Sequence, residues 1–223
     1  MKIICIGRNY SDHIKELSNE RPVNPVVFLK PDSSIISKNQ DFIIPTFSND
    51  IHHEVEIILK IKKVGKHIER SFANKYYDEL GLGIDFTARD LQFKLKEKGQ
   101  PWEKSKAFDN SCMVGEFIKK EKLKDLNNIN FSLEKNNQIV QKGNSSEMLW
   151  SFDELIEYVS QYFTLKIGDL IFTGTPSGVS KVTSGDLLEG FIETQKMFSL
   201  LNLFIGKIRR GYDYKTNKNM TDN

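Results

Sequence analysis

The chain has 223 residues with 32 Lys and Arg against 30 Asp and Glu, a formal net charge of +2. That length supports one domain with a sizeable core, and the near-balance of charge excludes nucleic acid as the main partner. No apolar run is long enough to cross a bilayer and the start, Lys2-Ile3-Ile4-Cys5-Ile6, is too short for a secretion signal, so a soluble, cytoplasmic protein with no membrane partner is expected. The small positive excess is local. Lys207, Arg209, Arg210, Lys215 and Lys218 oppose only Asp213 and Asp222 after Gly206, and the rest of the chain carries 27 positive and 28 negative residues. The organisation expected is therefore one domain over residues 1–205 and a polar basic tail over residues 206–223. Cys5 falls inside a predicted first strand and Cys112 in the loop-like context Asp109-Asn110-Ser111. Neither has metal-binding or redox spacing, which predicts two free, inert thiols.

In chain order, Ile3 to Ile6 reads as a strand, Gly7-Arg8-Asn9-Tyr10 as a turn, and Ser11 to Leu17 as a short helix capped by Asn9 with Asp12 three residues on. His13 and Glu16 are i,i+3 neighbours on that helix, readable as an exposed polar pair or as a catalytic dyad. Short strand-like runs follow, Val26 to Leu29 and Phe42 to Ile44, broken by Pro31 and Asn39. This is the pattern of a mainly β framework with few helices rather than of alternating βα units. In His52-His53-Glu54-Val55-Glu56, followed by Ile57, Ile58, Leu59 and Ile61, period-two alternation places Val55, Ile57, Leu59 and Ile61 on one strand face. Glu54 and Glu56 share the other. Two carboxylates so close repel, so they imply either a solvated strand face or a metal or Lys/Arg that neutralises them.

Leu80 to Ile84 reads as a strand ending at Asp85. Thr87-Ala88-Arg89-Asp90 reads as a capping box opening a helix to about Lys98, with Gly99 as its stop and Arg89 and Gln92 on one face. Asn136-Asn137 suits a tight hairpin turn between Asn130–Leu133 and Gln138–Gln141. A helix starting at Ser151, boxed by Glu154, is expected to bury Leu155, Ile156, Val159, Tyr162 and Phe163. Lys166-Ile167-Gly168-Asp169 turns the chain into the strand Leu170 to Phe172. The last strands are placed at Asp186–Glu193 and within Phe198–Ile208.

Six segments in order resemble one known family: Gly7-Arg8-Asn9-Tyr10 with His13 and Glu16; Phe28-Leu29-Lys30-Pro31; His53-Glu54-Val55-Glu56; Asp85-Phe86-Thr87-Ala88-Arg89-Asp90; Lys106 after Pro101-Trp102; and Thr173-Gly174-Thr175-Pro176. Together they resemble the fumarylacetoacetate hydrolase superfamily, in particular its acylpyruvase and oxaloacetate decarboxylase branch. The resemblance implies a mixed β-roll, α+β in class but mainly β, with a few short helices, usually a homodimer. It implies Glu54, Glu56 and Asp85 as ligands of Mg²⁺ or Mn²⁺, Arg8, Arg89, Gln92 and Thr175 as the substrate-binding set, and His13, Glu16 and Lys106 as the catalytic set. Three carboxylates suit a hard cation with open positions for a chelating substrate. Zinc is the competing ion because two histidines adjoin Glu54, and His52 is the one whose strand parity matches.

The activity implied is metal-dependent hydrolysis of the C–C bond of acylpyruvates (2,4-dioxo acids), with oxaloacetate decarboxylation by the same enolate stabilisation. The alternatives are isomerisation or hydrolysis of aromatic ring-fission products such as fumarylpyruvate or carboxymethyl-hydroxymuconate-type acids, and a non-catalytic 2-oxo-acid-binding protein. The continuation Leu200-Leu201-Asn202-Leu203-Phe204-Ile205 into Arg209-Arg210 departs from the family's usual ending.

Overall fold

The computed structural model describes residues 1–17 and 20–204; the basic tail expected from Gly206 lies outside the described residues. Strands dominate, in three sheets. The largest runs in the order Val26–Lys30, Ile3–Gly7, Leu170–Phe172, Val55–Ile61, Tyr77–Asp85, Cys112–Lys119, with only the Ile3–Gly7 to Leu170–Phe172 pairing parallel. A five-stranded sheet orders Gln138–Asn144, Asn130–Lys135, Leu187–Ile192, Gln195–Phe204 and Phe42–Ile44. A third, small sheet orders Ser180–Lys181, Ile51–His53 and Thr87–Ala88. This mixed, mainly β architecture is the one expected.

Alternation fixes the central strand. Val55, Ile57, Leu59 and Ile61 point into the main core, while Ile58 faces a second apolar cluster with Ile3, Cys5, Cys112, Leu170 and Phe172. The face shared by Glu56 is therefore buried as well, so the solvated-face reading fails. The run that reads as one strand is two. Ile51–His53 and Val55–Ile61 belong to different sheets, and the chain passes from one to the other at Glu54. The same happens at Phe86, between Tyr77–Asp85 and Thr87–Ala88.

Local expectations hold where turn chemistry is decisive. Asn136 and Asn137 both take positive φ, 54° and 64°, as a primed hairpin turn requires. Ser151 and Glu154 close a reciprocal box on the helix Phe152–Tyr162, whose Leu155, Ile156 and Val159 are fully buried. Tyr162, expected in the core, is 58% exposed because the helix's last turn passes the core edge.

Polar residues that tertiary contacts claim behave differently. The first helix spans Ser11–Glu16 with Tyr10 at its N-cap, and Asn9 does not cap it. Asn9 is instead fully buried: its amide donates to the carbonyls of Thr173 (2.8 Å) and Trp150 (3.1 Å), and its Oδ1 accepts from Trp150 N–H (2.9 Å). Thr87 and Asp90 form no capping box either. Ala88 caps Arg89–Glu97, and Asp90 accepts from Ser48 Oγ (2.6 Å) and the backbone of Asn49. Cys112, expected in a loop, begins a strand and is buried; burial pushes its thiol up to about 12, and Cys5 likewise upward, so both are free and inert. The last strand runs to Phe204, pairing Asn202–Phe204 in parallel with Phe42–Ile44; the remainder of the expected Phe198–Ile208 run lies outside the described residues. Among the described residues no helix is long and apolar enough to cross a membrane.

Because Asn9 alone ties three segments together, Asn9→Ala should lower unfolding free energy in urea by about 1–3 kcal/mol, the cost of leaving buried partners unpaired.

Candidate active site

The two sheet crossings bring the acids together. At the first, Glu54 offers its carbonyl to Asp85 N–H (2.8 Å), which sets the strand end bearing Asp85 beside Glu54. Glu56 follows two residues on, and its carboxylate accepts from Gly174 N–H (2.7 Å). One oxygen from each of Glu54, Glu56 and Asp85 lies within 4.8 Å of the others, all three side chains being buried. Among the described residues this is the one cluster of His, Cys, Asp and Glu fit to hold a metal ion.

Three buried or half-buried bases oppose the three acids. Lys106 Nζ donates to Glu54 (2.7 Å), Asp85 (2.7 Å) and Thr87 Oγ1 (2.6 Å). Lys30, fully buried, pairs with the other Asp85 oxygen at 2.7 Å and donates to Ser111 Oγ and to the carbonyls of Lys106 and Ser111. Arg89 bonds Glu54 through one nitrogen and Gln92 Oε1 (2.8 Å) through another. Burial by itself raises the Glu54 carboxyl, but Lys106 and Arg89 outweigh it and hold it well below the ordinary carboxylate range. Burial raises Glu56 well above that range, with Asp85 and Glu54 pushing the same way. Burial disfavours the Lys106 ammonium, yet Asp85 and Glu54 keep it above its ordinary value, so it acts as a fixed positive charge and not as a base.

The acids line a cavity of about 40 Å³ together with Arg8, His13, Phe28, Arg89, Gln92, Lys96, Trp102, Lys106 and Thr175. Every site residue expected from the sequence is present except Glu16, which stands one step back. Glu16 holds His13 Nδ1 at 3.1 Å with one oxygen and accepts from Gly178 N–H (2.9 Å) with the other. The pair that reads locally as an exposed helix feature thus has a buried member, His13, whose imidazole burial keeps below its ordinary pKa and therefore neutral at pH 7. Arg8 takes a left-handed backbone, φ 60°, at the turn facing it.

The adjacent histidines do not join the acids. His52 Nε2 contacts Asp50 (3.0 Å), and His53 lies between Gln141 (2.9 Å) and Ser180 (2.8 Å), which corrects the parity argument that kept zinc in view: with Glu54 at a sheet crossing, strand parity does not carry through it. Burial lowers His53 to about 4. Gly174, at φ 102°, lets the backbone approach Asn9, since a Cβ there would sit 2.7 Å from Asn9 Cβ. Sequence reasoning missed three residues. Lys30 lies in the resembling segment Phe28–Pro31 but is given no role there, because nothing local separates it from a surface lysine. Gln141 accepts from His53 and Val55 N–H and donates to Thr175 Oγ1, with no motif to mark it. Lys96 was findable, because Arg89, Gln92 and Lys96 fall at i, i+3 and i+7 on one helix face.

A β-roll carrying a buried acidic triad braced by lysines is a particular class of protein, and sequence and structure comparisons give the same class. The pattern described as Fumarylacetoacetate (FAA) hydrolase C-terminal matches residues 2–202, and the chain belongs to that family. It is 46% identical over 189 residues to a mitochondrial oxaloacetate decarboxylase of Dictyostelium discoideum, covering 84% of this chain and 87% of that protein. It is 40% identical over 188 residues to an oxaloacetate tautomerase of Escherichia coli strain K12, covering 84% and 86%. Fumarylpyruvate hydrolase from Pseudomonas aeruginosa, solved with Mn²⁺ and pyruvate, superposes with a TM-score of 0.86 at 30% identity, covering 92% of this chain and 90% of that one.

The donor set fits a hard divalent cation: three carboxylate oxygens, no sulfur and no imidazole. Because Glu56 retains its proton to unusually high pH, Mn²⁺ binding should release a proton and tighten as pH rises, measurable by calorimetry in buffers of different ionisation enthalpy. Lys30→Met leaves Asp85 with a buried oxygen that has lost its cation, and should cost about 3–5 kcal/mol in urea unfolding.

Proposed function

We propose that this chain acts on oxaloacetate, interconverting its keto and enol forms and decarboxylating it at the same site. One observation carries the reading: Lys106, Arg89 and the neutral His13 converge on the acidic triad in one cavity. The named activities of the decarboxylase and tautomerase relatives support it. Mg²⁺ or Mn²⁺ held by Glu54, Glu56 and Asp85 would supply a Lewis acid beside the 2-oxo group.

The chain's own groups supply the rest. Arg89, oriented by Gln92 and Glu54, grips the carboxylate next to the ketone through its planar fork. The Lys106 ammonium stabilises the negative oxygen that develops at C2, whether electrons arrive from a C3–H bond or from the C3–C4 bond. Glu16 commits Nδ1 of His13, which leaves Nε2 as the nitrogen that takes a proton from C3 in tautomerisation and passes it to the C2 oxygen; in decarboxylation Nε2 first takes up a proton from solvent and delivers it to C3 after CO₂ departs. Gln141 fixes Thr175 at the cavity wall.

A second reading is acylpyruvate hydrolysis, favoured by the same dyad. A neutral, buried imidazole backed by a carboxylate is suited to activate the water that must attack the distal carbonyl. The test is loss of ultraviolet absorbance from oxaloacetate, acetylpyruvate and fumarylpyruvate with metal-stripped protein, with and without Mg²⁺ or Mn²⁺. Metal-dependent turnover of oxaloacetate is expected, and turnover of none of the three overturns the reading. His13→Ala should lower turnover by roughly 10²–10⁴-fold, the usual share of a general base, while Mn²⁺ affinity stays at the wild-type value.

A further inference from the structure

The charges around the cavity do not cancel. Lys30, Lys106 and Arg89 are each ion-paired with Glu54 or Asp85, and Glu56 is the remaining acid. One more cation, Lys96, lines the same cavity with no ion-pair partner among the described residues, and no further carboxylate among those residues lines it. A bound divalent cation would widen this surplus, so the complete site calls for a ligand with more than one negative charge.

Lys96 is placed to meet the outer part of such a ligand. On the helix Arg89–Glu97 it lies seven residues beyond Arg89, about 10 Å along the axis at 1.5 Å per residue. Helical side chains lean toward the N-terminus, so the Lys96 head returns toward Arg89 and the cavity and not away from it. Trp102 holds the stem there, with the ammonium 5.0 Å from the ring centroid and the ring itself against Phe28 at 6.3 Å. Among the described residues no carboxylate forms an ion pair with Lys96. A half-buried ammonium that faces other cations and packs on an aromatic ring adds little to stability, and burial with Arg8, Arg89 and Lys106 nearby lowers it to about 8. An arriving carboxylate relieves that cost.

We propose that Lys96 receives the second carboxylate of a 2-oxo dicarboxylic acid and so selects such dianions over 2-oxo acids ending in a neutral group. The proposal rests on the reading of the cavity as a 2-oxo acid site and adds the class of acid.

Oxaloacetate and 2-oxobutyrate provide the test, because they match in shape and differ by a carboxylate in place of a methyl group. In Mn²⁺-loaded wild type, Lys96→Gln and Lys96→Arg, the KM of oxaloacetate and the inhibition constant of 2-oxobutyrate are measured side by side. Lys96→Gln should raise the oxaloacetate constant by roughly 10- to 100-fold, the scale of one hydrogen bond to a charged group, and move that of 2-oxobutyrate by less than about threefold. Lys96→Arg, which keeps the charge, should recover most of the loss. Equal shifts for both acids, or no shift for either, overturn the proposal. If wild type does not turn oxaloacetate over, the functional reading fails by itself. The dissociation constants of the two acids by calorimetry then replace the kinetic constants, with the same outcomes deciding the role of Lys96.

Discussion

Three carboxylates packed within a few ångströms in the interior of a sheet is the constraint from which the rest of the molecule follows. Unpaired, such a cluster would be untenable at low dielectric, since each buried ion carries a desolvation cost of several kcal/mol. The fold answers with bases drawn from three separate segments: Lys30 at the end of an edge strand, Arg89 at the start of a helix, and Lys106 in the short helix Glu103–Lys106. Because those segments are far apart in sequence, the cluster couples the packing of strands, helices and loops. Asp85 is held by Lys30 on one oxygen and by Lys106 on the other, and the Lys106 carbonyl in turn accepts from Lys30 and Ser111.

The same network that makes the acids tolerable gives the site its chemistry. Burial and neighbours drive two carboxyls two residues apart in opposite directions, Glu54 downward and Glu56 upward, and divergent environments of this kind are how a site separates roles among like groups. An ammonium pinned between two acids stays charged, so it is suited to stabilising an oxyanion. An imidazole sealed beside the cavity stays neutral, so it is suited to moving a proton. The loop Thr173–Pro176 serves both ends: Gly174 N–H bonds Glu56, Thr175 presents its hydroxyl beside Gln141, and Thr173 is tied to Asn9 and to Ile57. Gly178, two residues past that loop, binds Glu16 and thereby connects the dyad's orientation to the ground on which the acids rest.

Much of this was legible in the chain. The alternation through Val55, Ile57, Leu59 and Ile61, the Asn136-Asn137 turn and the Ser151–Glu154 box each encode their structure locally, because backbone sterics and near-neighbour hydrogen bonds decide them. The carboxylate pair, the helix face of Arg89 and Gln92, and the i,i+3 pair of His13 and Glu16 were likewise visible as patterns, and their likeness to a known family gave them a common purpose. Asn9 and Asp90 misled for one reason. A side chain that can cap a helix can equally bond a distant backbone, and at these positions the distant partners prevailed.

The sequence by itself determined a mainly β domain, since strand period and turn residues are short-range properties, and the likeness of its segments to a known family pointed to the acids and bases that meet in the cavity. Only the tertiary structure decided that the chain changes sheets at Glu54 and Phe86, that Lys30 pairs with Asp85, that Gln141 braces Thr175, and that Lys96 lines the cavity with no ion-paired acid among the described residues. Those facts depend on segments tens of residues apart meeting in space. No local pattern records such a meeting, because a buried lysine and a surface lysine are the same letter until the fold surrounds one of them.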